Sequence, residues 1–240
     1  MEKKETVIVT GASQGIGTAI VQTLLDRSYN VVANSRSISK SNLRPSPGLV
    51  LVEGNIADAA TADRVTQAGI SNFGSIEHLV NNAGIYVSKR FTDYDNEDLR
   101  GLLSTNIDGF VFVTQFAIRQ MLKQGTGGSV ITITAALADN PIADAPSSIP
   151  MITKGGLNAV TLSLANEYAK NHIRFNAVAP GVVDTPMHKD HPRDFLKSLS
   201  PMGTIAEMAD ITDAVIYLME ARYVTGEVLH VDGGAHVGKW

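Results

Sequence analysis

Three glycines near the start of the chain have the spacing of a phosphate-binding turn. Gly11, Gly15 and Gly17 follow a β-branched run, Thr6–Thr10, in the segment TVIVTGASQGIG. Such a run suits a buried parallel strand, and the glycines let the backbone approach a pyrophosphate at the N-terminus of the next helix. The spacing G-x-x-x-G-x-G is not the usual G-x-G-x-x-G. A turn that only joins a strand to a helix therefore stays open as the alternative.

The elements around this turn follow a repeated β-α order. We predict strands at Thr6–Thr10, Asn30–Asn34, Leu49–Glu53, His78–Asn81, Ser129–Thr134, Ile173–Ala179 and Glu227–Val231. Helices are predicted between them, among others at Gly15–Arg27, Asn96–Gln124, Ile149–Ala169 and Ala206–Met219. This alternation predicts the α/β class: a single Rossmann-type domain over residues 1–240, with a doubly wound parallel sheet and helices on both faces.

Two segments between these elements have the composition of loops. Ala135–Ser148 is rich in Asp, Pro and Ser, and Val182–Ser200 has no helical period. Both follow predicted strands. In an open α/β sheet, loops that leave the carboxyl ends of strands border the ligand crevice, so we expect both to line a substrate pocket.

Composition excludes several other classes of protein. A chain of 240 residues with 44% hydrophobic residues can bury a full core, and a net charge of -4 argues against a nucleic-acid surface. The absence of cysteine excludes disulfides and thiolate chemistry. No stretch is judged long and apolar enough to span a membrane, and the start MEKKETVIVTG leaves no room for a signal peptide. We therefore expect a cytoplasmic protein, without a metal site because the histidines lack ligand spacing.

Six segments occur in the order of a known family. They are TGASQGIG, NNAG, TNIDG, ITKGGLNAVT, RFNAVAPGVVDTPM and VTGEVLHVDGG. Over essentially its whole length the chain resembles a classical short-chain dehydrogenase/reductase, and it is most similar to the ketoacyl-carrier-protein-reductase type. The resemblance implies an NAD(P)-dependent enzyme that binds its dinucleotide along the segments above.

The resemblance assigns a part of the cofactor to each group of residues. The pyrophosphate and adenosine ribose are assigned to Gly11, Ser13, Gln14, Gly15, Ile16 and Gly17. The adenine edge is assigned to Asn55 and Ile56. The ribose is assigned to Asn82, Ala83, Gly84 and Lys154, and the nicotinamide to Pro180, Gly181, Val183 and Thr185. For each of these a turn or cap residue is the alternative, since Asn, Gly and Pro-Gly are common in turns.

The end of the second strand favours NADP over NAD. An acidic residue there would bind a ribose 2′-hydroxyl and repel a 2′-phosphate, but the strand ends Asn34-Ser35-Arg36-Ser37. Arg36 is suited to pair with a 2′-phosphate, helped by the two serine hydroxyls; an ordinary solvated arginine is the alternative. Gln14 stands where many NADP enzymes of this type have a basic residue, so NAD stays open.

The catalytic pattern of the family is incomplete in this chain. The resemblance implies that Lys154 and Asn106 match the family's lysine and asparagine. It also places the carbonyl-orienting serine at Ala135 and the proton-donating tyrosine at Pro150. Neither side chain carries a proton to donate, and positioned acid–base catalysis is worth about 10²–10⁴-fold in rate. We therefore expect an unusual proton path.

Proline at 150 also restricts the helix that carries Lys154. Inside a helix proline would cost about 3 kcal/mol, but it is tolerated in the first turn. We predict that this helix begins around Ser148–Pro150, with Ser147 or Ser148 as its cap.

Several side chains are candidates to replace the missing donor. Thr134 would do so if the strand end shifted by one residue, and Tyr86 follows NNAG. The two pocket loops contribute Asp139, Asp144 and His188. Each has a structural alternative: threonine suits a strand, Tyr86 would only wall the pocket, and aspartates are common in turns.

Three functions remain open at this point. The first is an NAD(P)(H)-dependent oxidoreductase of a small-molecule carbonyl, alcohol or activated C=C with a non-classical proton path. The second is a catalytically silent NADP-binding protein, acting as a sensor or as the inactive partner of a hetero-oligomer. The third is a dehydration or isomerisation supported by the nicotinamide. Because the predicted helices Asn96–Gln124 and Ile149–Ala169 are apolar on more than one face, we also expect a homo-oligomer, a dimer or tetramer.

Overall fold

The computed structural model describes residues 4–142 and 145–238. A single parallel sheet is built from seven strands in the order β3-β2-β1-β4-β5-β6-β7. The strands are β1 (Thr6–Thr10), β2 (Asn30–Ser35), β3 (Leu49–Glu53), β4 (His78–Asn81), β5 (Gly128–Ile133), β6 (Ile173–Pro180) and β7 (Val228–Val231). The predicted α/β class with a doubly wound parallel sheet is confirmed.

Helices cover both faces of this sheet. They are α1 (Gly15–Asp26), α2 (Ala59–Phe73), α3 (Asn96–Leu103), α4 (Gly109–Gln124), α5 (Ser148–Glu167), α6 (Arg193–Ser198) and α7 (Met208–Glu220). On one face, apolar residues of α1 and α7 pack on β1, β2 and β6. On the other face, residues of α2, α4 and α5 pack on the same sheet. Every residue of β1 is buried, which explains why β-branched residues form that strand.

The strand order places a crevice at the carboxyl ends of β1 and β4. β1 pairs with β2 on one side and with β4 on the other. The connections therefore change direction between β1 and β4, and the loops that leave these two strands border a crevice at their carboxyl ends. The glycine turn lies in this crevice because it follows β1 directly.

The predicted helix Asn96–Gln124 is interrupted. A π-helical turn, Ser104–Asp108, separates α3 from α4. Taken together, residues Asn96–Gln124 are also long and apolar enough to cross a membrane, contrary to our expectation. Within their most apolar stretch, 44% is buried inside the protein. Because the core helix of a soluble protein passes the same test, this is weak evidence for a span.

Two loop predictions need correction. The segment Val182–Ser200 contains the short helix α6, and three residues after β5, Ala136–Ala138, form a 3-10 turn. Helix α5 begins at Ser148, as predicted from Pro150. Ser147 occupies the cap position, but its hydroxyl donates to the carbonyl of Ala145 at 3.0 Å and does not cap the helix.

Candidate functional site

The glycine turn adopts a conformation that larger residues would not tolerate. Gly11 and Gly15 have φ angles of +66° and +58°, in the left-handed region that favours glycine. A Cβ added to Gly17 would lie 2.4 Å from the Gly11 carbonyl oxygen and 2.5 Å from the Asn82 Nδ2. The turn is therefore folded tightly against the segment after β4; we call the turn and the N-terminus of α1 that follows it the cradle.

Helix α1 contributes an open N-terminus to this cradle. Gln14 is the cap residue, yet no side chain caps the helix and no acidic residue lies in its first turn. Unpaired N–H groups at a helix N-terminus bind anions, so this end suits a pyrophosphate. Ser13 is half-buried beside it, and Ile16 packs against the core. The residues present thus fit the dinucleotide that the sequence implies.

Asn82 fastens the NNAG segment to the glycine turn. Its Nδ2 donates to the carbonyls of Thr10 at 3.0 Å and Gly11 at 3.1 Å. The hydroxyl oxygen of Thr10 accepts from the backbone N–H groups of Asn82 and Ala83, at 3.1 and 3.0 Å. Thr10 is a site residue that the sequence analysis missed, since a threonine ending a strand carries no signal of its own. These bonds give Asn82 a positioning role.

The loop after β6 forms the opposite wall. A Cβ at Gly15 would lie 3.7 Å from the Thr185 Cβ, so this threonine lies over the glycine turn. Val183 is buried and forms a bridge with Ala206. Gly181 packs on Asp232, where an added Cβ would lie 2.8 Å from the Cα. The structure therefore brings Thr185 and the glycine turn together, with Gly181 and Val183 anchoring the loop.

The end of β2 presents an exposed arginine. Arg36 forms no ion pair with any residue in the described ranges. Behind it, the Asn34 Nδ2 donates to the carbonyls of Val52 and Gly54 at 2.9 and 3.2 Å, which fixes the end of β2 to β3. The guanidinium is therefore free to bind an anion.

A carboxylate that the sequence analysis missed lies on the neighbouring strand. Glu53 pairs in register with Ser35. Hydrogen bonds from the Ser39 hydroxyl and N–H lower the pKa of Glu53. The carboxylate is thus ionised and engaged by Ser39.

The predicted adenine residues follow β3. The Asn55 Oδ1 accepts from the Ala57 N–H at 3.3 Å, and Asn55 itself is exposed. Ile56 is buried, and a Cβ at Gly109 would lie 3.0 Å from its Cγ2. In this structure Asn55 stabilises its own turn, and Ile56 packs on α4.

Lys154 lies at the end of the crevice that the resemblance assigns to the reaction. Its Nζ donates to the carbonyl of Ile133, at the end of β5, at 2.8 Å. A Cβ at Gly84 would lie 3.1 Å from this Nζ, so the ammonium lies close to the exposed Gly84 at the end of the NNAG segment. Burial lowers the pKa of Lys154 to about 8 because desolvation disfavours the charged form.

Asn106 connects the NNAG side of the crevice to α5. It lies on the π-helical turn, a feature frequent at functional sites. Its Oδ1 accepts from the Ile85 N–H at 2.8 Å, and its Nδ2 donates to the Ile85 carbonyl at 3.1 Å and to the Thr153 hydroxyl at 3.0 Å. Asn106 therefore positions the segments on which Gly84 and Lys154 lie.

No side-chain donor occupies the two positions that the family pattern assigns to serine and tyrosine, Ala135 and Pro150. Pro150 is buried in the first turn of α5, where its carbonyl accepts from the Thr153 hydroxyl at 2.7 Å. Thr134 is 4% exposed, and its hydroxyl donates to the Val178 carbonyl at 3.3 Å. Thr134 thus lies directly after β5, with its hydroxyl bonded to β6.

The other candidate donors are placed as follows. Tyr86 is half-buried on the segment after β4. Burial lowers the pKa of His188, with His191 acting in the same direction, which favours the neutral imidazole. Asp144 lies outside the described residues. None of these findings assigns a role in proton transfer.

Asp139 belongs to a polar cluster that the sequence did not indicate. Its carboxylate bonds to the His230 Nε2 at 2.9 Å and accepts from the Asn158 Nδ2 at 3.3 Å. The His230 ring stacks on His236 at 3.9 Å, and the His236 Nδ1 bonds to Asp232 at 2.9 Å. This cluster ties the turn after β5 to β7. Within the described residues no group of histidines and carboxylates is arranged to hold a metal ion.

Comparison with known sequences places the chain in a family. The family model described as enoyl-(acyl carrier protein) reductase matches residues 11–236. The chain belongs to the short-chain dehydrogenase/reductase family. It is 32% identical to carbonyl reductase family member 4 of Xenopus tropicalis, over 94% of this chain and 95% of the relative. It is 33% identical to 3-oxoacyl-[acyl-carrier-protein] reductase of Rattus norvegicus, again over 94% of this chain and 95% of the relative.

Solved structures of the family superpose closely. ElxO with NADP bound matches with a TM-score of 0.91 at 26% identity, over 98% of this chain and 100% of that one. The 3-ketoacyl-(acyl-carrier-protein) reductase from Brucella melitensis, complexed with NADH, matches with a TM-score of 0.91 at 25% identity, over 97% and 98%. The family predicted from the six segments is therefore confirmed.

Proposed function

We propose that the chain is an NAD(P)(H)-dependent oxidoreductase that acts on a small-molecule carbonyl, alcohol or activated C=C. The observation that carries this proposal is one crevice with the glycine turn at one end and the buried Lys154 ammonium at the other. Two solved structures of the family hold NADP and NADH, respectively. A nicotinamide dinucleotide bound in this crevice supplies or accepts a hydride.

Different residues would bind different parts of the dinucleotide. The N-terminus of α1 and the glycine turn would hold the pyrophosphate, and Thr185 would cover it from the loop after β6. Lys154, on the NNAG side, would hold the nicotinamide ribose. Asn82 and Asn106 keep the walls in place through their backbone contacts. Ile56, Val183 and Pro180 are buried and would present apolar surface to the bound dinucleotide.

For the dinucleotide itself we propose NADP in preference to NAD. Arg36 is exposed beside the end of β2 and has no described partner, so its guanidinium is available for a 2′-phosphate. The nearby Glu53 would oppose a phosphate, but its carboxylate is engaged by Ser39. The exposed Arg36 guanidinium therefore favours a 2′-phosphate, while Glu53 is held towards Ser39.

A catalytically silent NADP-binding protein is the second candidate. It is favoured by one specific observation: Ala135 and Pro150 lack a donor, and the nearby Thr134 hydroxyl is bonded within the sheet. Such a chain would bind NADPH as tightly as an enzyme and leave it unchanged.

We propose a homo-oligomer, a dimer or tetramer, in the cytoplasm. Leu103 and Leu122 on the α3–α4 side are 39% and 42% exposed, and Ile152 and Leu162 on α5 are 58% and 56% exposed. Exposed apolar side chains on neighbouring helices suit burial against a second copy. Light scattering that gives the mass of one chain would contradict this assembly.

Absorbance at the reduced-nicotinamide band tests the function. Purified chain with NADPH is offered a panel of ketones, enones and, with NADP, alcohols. Turnover of at least one member supports the oxidoreductase. Tight NADPH binding without turnover of any member would reject it in favour of the silent protein.

A further inference from the structure

Lys154 carries a mobile proton at the reaction end of the crevice. We propose that its ammonium is itself the proton donor of the reaction, a role that rests on the proposed oxidoreductase function. The lysine then does more than hold the nicotinamide ribose, because it takes over the task of the missing phenol.

The bonding of the ammonium leaves donors available. A lysine ammonium has three N–H donors, and the bond to the Ile133 carbonyl at 2.8 Å uses one. In the described part of the chain no carboxylate lies within ion-pair distance of Lys154. Two N–H groups are therefore free to contact a ligand in the crevice.

The position of the ammonium is defined by its neighbours. A Cβ added to Gly84 would lie 3.1 Å from the Nζ and 3.3 Å from the Asn106 Oδ1. Gly84 is exposed and Lys154 is half-buried, so the ammonium lies close to an exposed part of the backbone. Asn106 holds this arrangement through its bonds to Ile85 and Thr153, the residues next to Gly84 and Lys154.

The neighbouring residue on α5 adds no competing group. Pro150 precedes Lys154 by four residues, so the two side chains lie on the same face of the helix. A proline ring has neither a donor nor the length to reach past the lysine. One turn before Lys154, α5 therefore offers no side chain that competes with the ammonium as a donor.

Two other candidate donors are already bonded elsewhere. The Thr134 hydroxyl donates to the Val178 carbonyl. The Asp139 carboxylate is bonded to His230 and Asn158, and an ionised carboxylate accepts hydrogen bonds only. Lys154, in contrast, keeps N–H groups without an acceptor among the described residues.

The acidity of the group matches the task. Burial lowers the pKa of Lys154 to about 8, so it is mostly protonated at neutral pH and still releases its proton readily. General acids are most effective when their pKa lies near the working pH.

The step balances as follows for a ketone. With a hydride supplied to the carbonyl carbon by the bound cofactor, the C=O π electrons would move to the oxygen, and this oxygen would form an O–H bond with a proton from the Lys154 Nζ. As this O–H bond forms, one Nζ–H bond of Lys154 breaks and leaves a neutral amine. A proton from solvent restores the ammonium, so one ketone, one hydride and one proton give one alcohol.

Lys154→Arg and Lys170→Arg test the proposal on the best substrate of the panel, at saturating NADPH. Arginine keeps the charge and the donors of lysine but does not release its proton. We expect Lys154→Arg to bind NADPH within about threefold of the native chain and to lose about 10²–10⁴-fold in kcat. Lys170→Arg, in an exposed turn, should match the native chain. Native kcat should fall about tenfold per pH unit above pH 8.

A second measurement does not depend on turnover. In the cofactor-free native protein, the Lys154 side chain, observed by NMR, should titrate near pH 8. Titration above pH 10, or a Lys154→Arg variant that keeps more than about a third of the native kcat, would overturn the proposal and leave the oxidoreductase standing. If the native chain binds NADPH and turns over nothing, the oxidoreductase fails and this role falls with it.

Discussion

The two ends of the crevice are built on different principles. At the glycine turn, backbone conformation forms the site. Gly11 and Gly15 have positive φ angles, and Asn82 holds the turn by two hydrogen bonds to carbonyls. At the end predicted for the reaction, chemistry requires individual side chains that donate or accept protons, and Ala135 and Pro150 carry no such group. The cofactor end is therefore built from backbone geometry, whereas in our proposal the chemistry depends on the surroundings of Lys154.

The largest effect is expected at Gly17. In Gly17→Ala, the new Cβ would lie 2.4 Å from the Gly11 carbonyl oxygen, so the turn must move. We expect NADPH binding to weaken by about 100-fold or more, as measured by nicotinamide fluorescence. Gly101→Ala is the matched control, since its Cβ meets Ile85 at an ordinary 3.7 Å. Equal binding by both variants and the native chain, all folded by circular dichroism, would remove the glycine turn from the site.

Lys154→Met separates folding from chemistry at the Lys154 end of the crevice. We expect it to raise the stability of the fold and to remove the proposed proton donor. The folded pKa is lowered from 10.5 to about 8, so the unfolded chain binds more protons between these values, and native stability rises with pH across this window. At pH 7 the burial penalty is present in full. We expect Lys154→Met to raise the free energy of unfolding at pH 7 by about 1–3 kcal/mol. This advantage over the native chain should shrink towards pH 10.

Urea unfolding of the cofactor-free proteins at pH 7 and pH 10 measures this difference. A Lys154→Met variant less stable than the native chain at pH 7 would show that the ammonium is well solvated or paired, contrary to our description.

Arg36→Ala tests the adenosine end. Loss of a charge-assisted contact to a 2′-phosphate should weaken NADPH binding about 10–100-fold and leave NADH within about twofold. Arg44→Ala, also exposed, serves as the control. Isothermal titration with both dinucleotides distinguishes the outcomes. Equal losses for NADPH and NADH would mean that Arg36 does not select the phosphate.

The smallest effect is expected in the histidine cluster. Asp139→Asn removes the charge that faces His230, and we expect it to lower the free energy of unfolding by about 1 kcal/mol because Asp139 is partly solvated. NADPH binding should not change, since the cluster contacts β7 and α5 away from the glycine turn. Asp213→Asn, on the exposed side of α7, provides the baseline. A drop in NADPH affinity would show that the histidine cluster influences the dinucleotide site, contrary to this expectation.

Much of the fold follows from the sequence because burial leaves a clear pattern. The strand bounds agree within one residue, since buried β-branched runs end at turns, as in Thr6–Thr10 and Leu49–Glu53. The break at Ser104–Asp108 was missed because a π-helical turn inserts one residue per turn without a distinctive residue type. Helix α6 is short and largely exposed, so it has little apolar period.

The site is less predictable than the fold. The spacing of glycines in the sequence indicates where the backbone turns tightly. The hydrogen-bond partners of a side chain, in contrast, depend on which distant segments come together in the fold. The bonds of Thr10 to Asn82 and of Asn106 to Thr153 join residues far apart in sequence. The low pKa of Lys154 likewise depends on burial under Gly84, which spacing alone does not reveal.

Titration of the native chain with NADPH in a calorimeter tests the central claim, that the cradle binds a dinucleotide. We predict one saturable site per chain with a Kd of about 1–100 μM, in the range usual for enzyme ligands, and its loss in Gly17→Ala. No saturable binding up to about 1 mM NADPH or NADH would contradict the account, since the glycine turn would then only join a strand to a helix.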